Sequence, residues 1–114
     1  MSELARRLIT ENLKTKDPYL DLGNCDLTDD NFPEEILQLA DHLKVLILAS
    51  EWYEYNAEKA EWVKKESQNG GVGNRLNKIP EALKSLYHLQ SLDLRNTNIT
   101  DITPLQGLAK LQSL

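Results

Sequence analysis

The sequence holds one cysteine, Cys25, and two histidines, His42 and His88, the residue types that carry nucleophilic catalysis or bind zinc. A nucleophilic cysteine needs a histidine partner, and neither histidine lies in a recognisable partner motif. The histidines stand 46 residues apart, each just before a leucine, with no thiol or carboxylate at ligand spacing. We therefore expect Cys25 to be structural and the histidines to occupy equivalent places in a repeated pattern, with no catalytic residue, metal or cofactor.

Three acidic residues, Asp26, Asp29 and Asp30, form a second group, because carboxylates bind hard cations such as Ca²⁺. Their spacing matches no calcium-binding loop, so we interpret them as a solvated turn. The glycine-rich segment 70–74 lacks the Gly-Lys-Ser/Thr ending of a phosphate-binding loop and is interpreted as a flexible connection. We expect that the chain is not an enzyme, and a small metal-dependent enzyme using the two histidines is the remote alternative.

The composition limits the partners that the chain can have. Of its 114 residues, 21 are leucine, and the formal net charge is −5. The acidic balance argues against a nucleic-acid binder, which needs clustered Lys and Arg, and no apolar run approaches the roughly 18 residues of a membrane span. The N-terminus has no apolar signal-peptide segment, and a lone thiol suits a reducing compartment, so the cytoplasm is the expected location.

Leu-x-Leu pairs recur along the chain, and the elements that they form must position any functional residue. Residues 20–27 and 92–99 share the form L-x-L-x-x-C/T-x-L/I, and residues 46–48 open the same pattern. Each pair puts two side chains on one face of a short strand. These copies resemble the leucine-rich-repeat family over about residues 19–50 and 74–114. The resemblance implies an α/β solenoid, a short horseshoe with an N-terminal capping helix and one parallel strand per repeat.

The spacing predicts one domain divided into repeats. An apolar stripe predicts a capping helix at residues 2–16, with Ser2 as its N-cap. The repeats would cover 19–45, 46–91 with an insertion at about 51–73, and 92–113. Because Leu114 would start a further strand, we expect a fragment of a longer repeat protein, or a chain that covers its C-terminal edge by association.

The insertion contains no leucine or isoleucine, but it holds Trp52, Tyr53, Tyr55 and Trp62, four of the seven aromatic residues. Aromatic residues favour a hairpin that turns across residues 56–60, and a helix over 54–66 is the alternative. Because exposed Trp and Tyr are enriched at protein interfaces, these four residues are predicted to bind a partner. The competing interpretation is that they fold back and bury themselves. If they bind, Trp52→Ala and Trp62→Ala should each weaken the partner with little loss of fold.

The outward positions of the predicted strands form a second candidate surface, since repeat proteins characteristically bind with their concave face. The predicted contact residues on this face are Tyr19, Asp21, Val45, Ile47, Asp93 and Arg95.

Together these features predict a non-enzymatic protein–protein recognition module whose partner is a protein or a neighbouring domain. The resemblance is to bacterial repeat proteins and implies the N-terminal part of a larger signalling or defence protein. The alternative function is a structural domain that forms homo-oligomers through its uncapped C-terminal edge. Neither nucleic acid nor a membrane is an expected partner.

Overall fold

An apolar stripe makes the first element a helix. In the computed structural model, which describes residues 3–95, 97–108 and 110–111, helix α1 spans Glu3–Thr15. Ala5 and Ile9 are buried on its inner face. Glu3 in the first turn and Lys14 in the last complement the helix dipole. The predicted N-cap, Ser2, and the predicted strand start at Leu114 lie outside the described residues.

Five strands follow among the described residues: β1 (Tyr19–Asp21), β2 (Val45–Ile47), β3 (Glu51–Asn56), β4 (Glu61–Glu66) and β5 (Ser91–Asp93). Three of them form a parallel sheet in the order β1–β2–β5. Leu20 lies opposite Leu46, and Leu46 lies opposite Leu92, so one side chain from each strand points into a common core. The prediction that the Leu-x-Leu segments pair in parallel is confirmed.

In the part of the chain that the structure describes, three short 3₁₀ helices close the other side of the leucine core, at Glu34–Leu39, Glu81–Ser85 and Thr103–Gly107. Prolines stand at the start of each, where a missing backbone N–H costs no helical hydrogen bond. Leu39 and Leu83 belong to these helices, and their fully buried side chains pack against the leucines of the sheet. The core is therefore a layer of aliphatic side chains between the sheet and the 3₁₀ helices.

The insertion forms an antiparallel hairpin, so the hairpin prediction is confirmed and the alternative helix is wrong. Strands β3 and β4 pair from Glu51 opposite Glu66 to Asn56 opposite Glu61. At the turn, the Asn56 side-chain oxygen accepts backbone N–H bonds from Glu58 (3.0 Å) and Lys59 (3.1 Å). This local capping is the geometry that asparagine favours in turns.

The predicted horseshoe solenoid is wrong. The described residues form a small α/β domain, with a three-stranded parallel sheet and a two-stranded antiparallel sheet, and not an array of solenoid repeats. Its extents are 40 × 32 × 32 Å and its Cα radius of gyration is 13.5 Å, close to the roughly 13 Å of a globular domain of this length. The physical reason lies in the insertion, which builds a second sheet and packs over the first.

Candidate functional site

The base of the hairpin is tied to the first strand by Asp21. The Ser67 hydroxyl lies 2.9 and 3.0 Å from the two carboxylate oxygens of Asp21, and the backbone N–H of Gln68 donates to one of them at 3.0 Å. The backbone N–H of Gly23 donates to the same carboxylate at 2.9 Å. Asp21, predicted from sequence to contact a partner, thus holds the hairpin in place.

Asn74 fixes the point where the insertion returns to the core. Its side-chain nitrogen donates to the carbonyl oxygens of Leu22 and Leu48, both at 2.9 Å, and its oxygen accepts from the N–H groups of Cys25 (3.2 Å) and Leu27 (2.9 Å). The residue is buried, so each bond replaces one that water would supply. The segment that follows the hairpin is therefore anchored at its start by Ser67 and at its end by Asn74.

Gly23 allows this close approach of the return segment to the sheet. A Cβ atom at this position would overlap the carbonyl oxygen of Ala49 and come within 2.9 Å of the Ser67 Cβ. Because that carbonyl is backbone, a side chain here would push the hairpin base off the sheet. The residue thus belongs to the anchoring of the hairpin.

Trp52 lies on the outward face of the sheet and is only 5% exposed. Its ring packs in a small apolar cluster with Val45, Ile47 and Ala49, separate from the leucine core. The indole N–H donates to the Glu54 carboxylate at 2.9 Å, so the polar group of this buried ring has a hydrogen-bond partner. Two of the predicted contact residues on the sheet, Val45 and Ile47, are therefore covered by the hairpin itself.

The opposite face of the hairpin carries three exposed rings, Tyr53, Tyr55 and Trp62, which we call the aromatic face. Side chains alternate along a strand, which separates Tyr53 and Tyr55 from Trp52. Trp62 pairs across the ribbon with Tyr55, and their ring centroids lie 5.4 Å apart in an edge-to-face arrangement. The three rings are 48%, 55% and 67% exposed in chain order.

Two cationic side chains border the aromatic face, and both have partners. The Arg95 guanidinium lies 5.6 Å from the centre of the Tyr53 ring, and its Nε is 3.8 Å from an oxygen of Asp93. Lys64 lies 3.1 Å from the Glu51 carboxylate on the opposite strand. That contact raises the pKa of the Lys64 ammonium. Arg95 and Asp93 thus lie in one surface with the hairpin residues, whereas the sequence prediction assigned them to a separate surface on the sheet.

A groove of about 380 Å³ lies on the other side of the hairpin, beside the first strand. Burial and the nearby carboxylates of Asp21, Glu54, Asp93 and Asp17 raise the pKa of Tyr19 to about 12. The phenol therefore stays neutral at physiological pH. The groove is lined by Tyr19, Asp21, Trp52, Glu54, Lys65, Glu66 and Gln68.

Cys25 lacks the environment of a nucleophile. Burial and, next, the charge of Asp21 raise the pKa of its thiol to about 12, so the reactive thiolate is scarce at neutral pH. The sulfur contacts the carbonyl oxygen of Gly23 at 3.5 Å and the side-chain nitrogen of Asn69 at 3.7 Å. The residue packs in the core at the turn after β1.

The two histidines have separate partners. His42 Nε2 lies 2.6 Å from the side-chain oxygen of Asn12, and burial followed by the charge of Lys16 lowers the pKa of the imidazole. The Lys110 ammonium donates to His88 Nδ1 at 3.0 Å. Within residues 3–95, 97–108 and 110–111, no group of three or more His, Cys, Asp and Glu side chains is placed to hold a metal ion.

The acidic turn after β1 makes contacts with the segment that follows the insertion. Asp26 pairs with Arg75 at 2.9 Å. Asp29 accepts the backbone N–H of Asn77 at 3.0 Å, which is the main cause of its lowered pKa, and the N–H of Lys78 at 3.4 Å. These carboxylates therefore link the turn after β1 to the segment that follows the insertion.

The sequence prediction missed three polar residues that organise the site. Asn12 links α1 to the first strand by donating to the carbonyl oxygens of Asp17 (3.0 Å) and Tyr19 (3.3 Å). Ser67 and Asn69 join the hairpin base to the turn after β1. A Ser-x-Asn pair beside Gly-Gly carries no strong signal of its own, since its partners lie more than 40 residues away in sequence.

Neither a scan against protein-family models nor searches of curated proteins and solved structures found a match to this chain. The leucine-rich-repeat resemblance therefore stays a prediction from the Leu-x-Leu pattern. In the described part of the chain, no helix is long and apolar enough to cross a membrane.

Proposed function

We propose that this domain recognises another protein, or a neighbouring domain, through the aromatic face of its hairpin, without catalysing a reaction. The observation that carries the proposal is the exposure of Tyr53, Tyr55 and Trp62 together on one face of a single ribbon. Large amphipathic rings provide contact area at a small cost in conformational entropy, and Trp and Tyr are enriched among the residues that dominate binding energy.

Anchoring of the hairpin supports this proposal. Trp52 fastens one face to the sheet and Asp21 fastens the base, so the ribbon does not have to be ordered when a partner arrives. Ordering a loop or side chain on binding reduces affinity, and a surface held in its bound shape avoids that cost. The edge-to-face contact of Tyr55 with Trp62 and the Arg95 guanidinium on Tyr53 restrict the rings further.

The lone thiol supports a cytoplasmic setting. The leucine-rich-repeat resemblance supports a place within a larger signalling or defence protein, and both belong to the proposal. The alternative of self-association through the C-terminal edge depends on Leu114, which lies outside the described residues. Light scattering separates the two: a monomer that binds its partner through the hairpin contradicts the assembly function.

The test is a pull-down with three immobilised baits: the wild type, the double variant Tyr55→Ala/Trp62→Ala, and the control Tyr87→Ala. Tyr87 is an exposed tyrosine outside the hairpin, so it matches the chemistry of the change but not its place. We expect proteins that bind the wild type and the control but not the double variant, since losing two exposed rings should weaken binding by about 2 kcal/mol or more. Partners retained equally by all three baits would contradict the proposal.

A further inference from the structure

The aromatic face already binds one cation from its own chain. Arg95 places its guanidinium 5.6 Å from the centre of the Tyr53 ring, within the range at which a ring attracts a cation. This is the one cation–π contact among the residues that the structure describes. It shows that a planar guanidinium fits against this face of the ribbon, with the Asp93 carboxylate 3.8 Å from its Nε.

The two neighbouring rings are better placed to receive a second guanidinium. Tyr55 and Trp62 are more exposed than Tyr53, and tryptophan is the ring that attracts cations most strongly. Their edge-to-face contact fixes both rings while leaving ring surface open to solvent. Lys64, which lies on the same face opposite Tyr53, is held by Glu51 and lies 3.9 Å from Glu66.

The charge of the hairpin favours a cationic ligand. Residues 51–66 contain five glutamates and three lysines, a net charge of −2, within a chain of net charge −5. The net negative charge of the hairpin would therefore attract an approaching arginine.

Resting on the proposed function, we infer that the segment recognised by the aromatic face carries arginine side chains, which stack on Tyr55 and Trp62 as Arg95 stacks on Tyr53. Arginine suits these rings better than lysine because its guanidinium is planar and weakly hydrated. A purely apolar segment would use the area of the rings but neither their π faces nor the negative charge of the hairpin.

The probe is a short fluorescein-labelled peptide of alternating arginine and glycine, followed by fluorescence anisotropy on the full chain. Its control replaces each arginine by citrulline, which keeps the planar shape and removes the charge. The protein variants are Tyr55→Leu and Trp62→Leu, which keep apolar area but remove the π face, with Tyr87→Leu as the matched control. Urea unfolding of each variant verifies that the fold is retained.

We expect the citrulline peptide to bind at least about tenfold more weakly, and each of Tyr55→Leu and Trp62→Leu to weaken the arginine peptide by about fivefold, with Tyr87→Leu unchanged. Equal binding of the two peptides, or wild-type affinity in Trp62→Leu, would overturn the inference. A loss in Glu54→Gln without a loss in Trp62→Leu would overturn it too, by placing the arginine in the groove beside Tyr19. A hairpin-dependent partner in the pull-down without arginine dependence would contradict this inference alone and leave the proposed function standing.

Discussion

The two tryptophans of the hairpin have opposite environments although they stand ten residues apart in one ribbon. Trp52 is buried against Val45 and Ile47 on the sheet, whereas Trp62 is the most exposed aromatic ring of the described residues. One holds the ribbon in place, and the other is presented by it. The comparison teaches that the insertion divides its aromatic residues between anchoring and display, so their number alone does not measure a binding surface.

The largest expected effect separates the two tryptophans by stability. Trp52→Ala should lower the free energy of unfolding by about 3 kcal/mol, because it removes a buried ring and leaves a cavity over the sheet. Trp62→Ala should change it by less than about 0.5 kcal/mol, as expected at an exposed position. Urea unfolding followed by circular dichroism measures both. Equal losses in the two variants would contradict the division between anchor and display.

A smaller effect is expected at the base of the hairpin. Asp21→Ala removes the acceptor of the Ser67 hydroxyl and the Gln68 N–H and should lower the free energy of unfolding by about 2 kcal/mol. It should also weaken binding by any partner of the aromatic face, because the ribbon is then less well anchored.

The sequence offers a matched control for this change. Asp93 stands at the equivalent place in β5 and accepts the N–H of Arg95 at 3.0 Å, as Asp21 accepts that of Gly23 at 2.9 Å. No hydrogen bond from the hairpin base to Asp93 is present among the described residues. Asp93→Ala should therefore cost clearly less stability than Asp21→Ala, and equal costs would show that the turn bond, not the anchoring of the hairpin, is what Asp21 supplies.

The contrast between the two tryptophans could be predicted in part from the sequence. Period-two alternation puts Trp52 on the face opposite Tyr53 and Tyr55, and the predicted hairpin already contained this information. It could not say which face would meet the sheet, because that depends on contacts such as Asp21 with Ser67, which are 46 residues apart and leave no periodic trace.

The fold was predictable to a similar extent. The Leu-x-Leu segments correctly gave parallel strands with Leu20, Leu46 and Leu92 in register, since a period of two needs only local sequence. The solenoid was wrong because it extended that local pattern to the whole chain. The insertion lies outside the leucine core but forms a second sheet, and its Trp52 covers the sheet face that a horseshoe would leave open.

The smallest expected effect sharpens the comparison at the tip of the ribbon, farthest from both anchors. Ala60 has a backbone φ of 52°, in the left-handed region that costs an L-residue with a Cβ about 1 kcal/mol. Ala60→Gly should relieve that strain. Because glycine also loses more entropy on folding, the free energy of unfolding should rise by only roughly 0.5 kcal/mol. Since Trp62 lies next to this turn on a displayed face, binding through the aromatic face should stay at wild-type strength or rise slightly. Urea unfolding and peptide anisotropy on the same sample check both expectations, and a loss of stability would mean that the tip does not keep this conformation in solution.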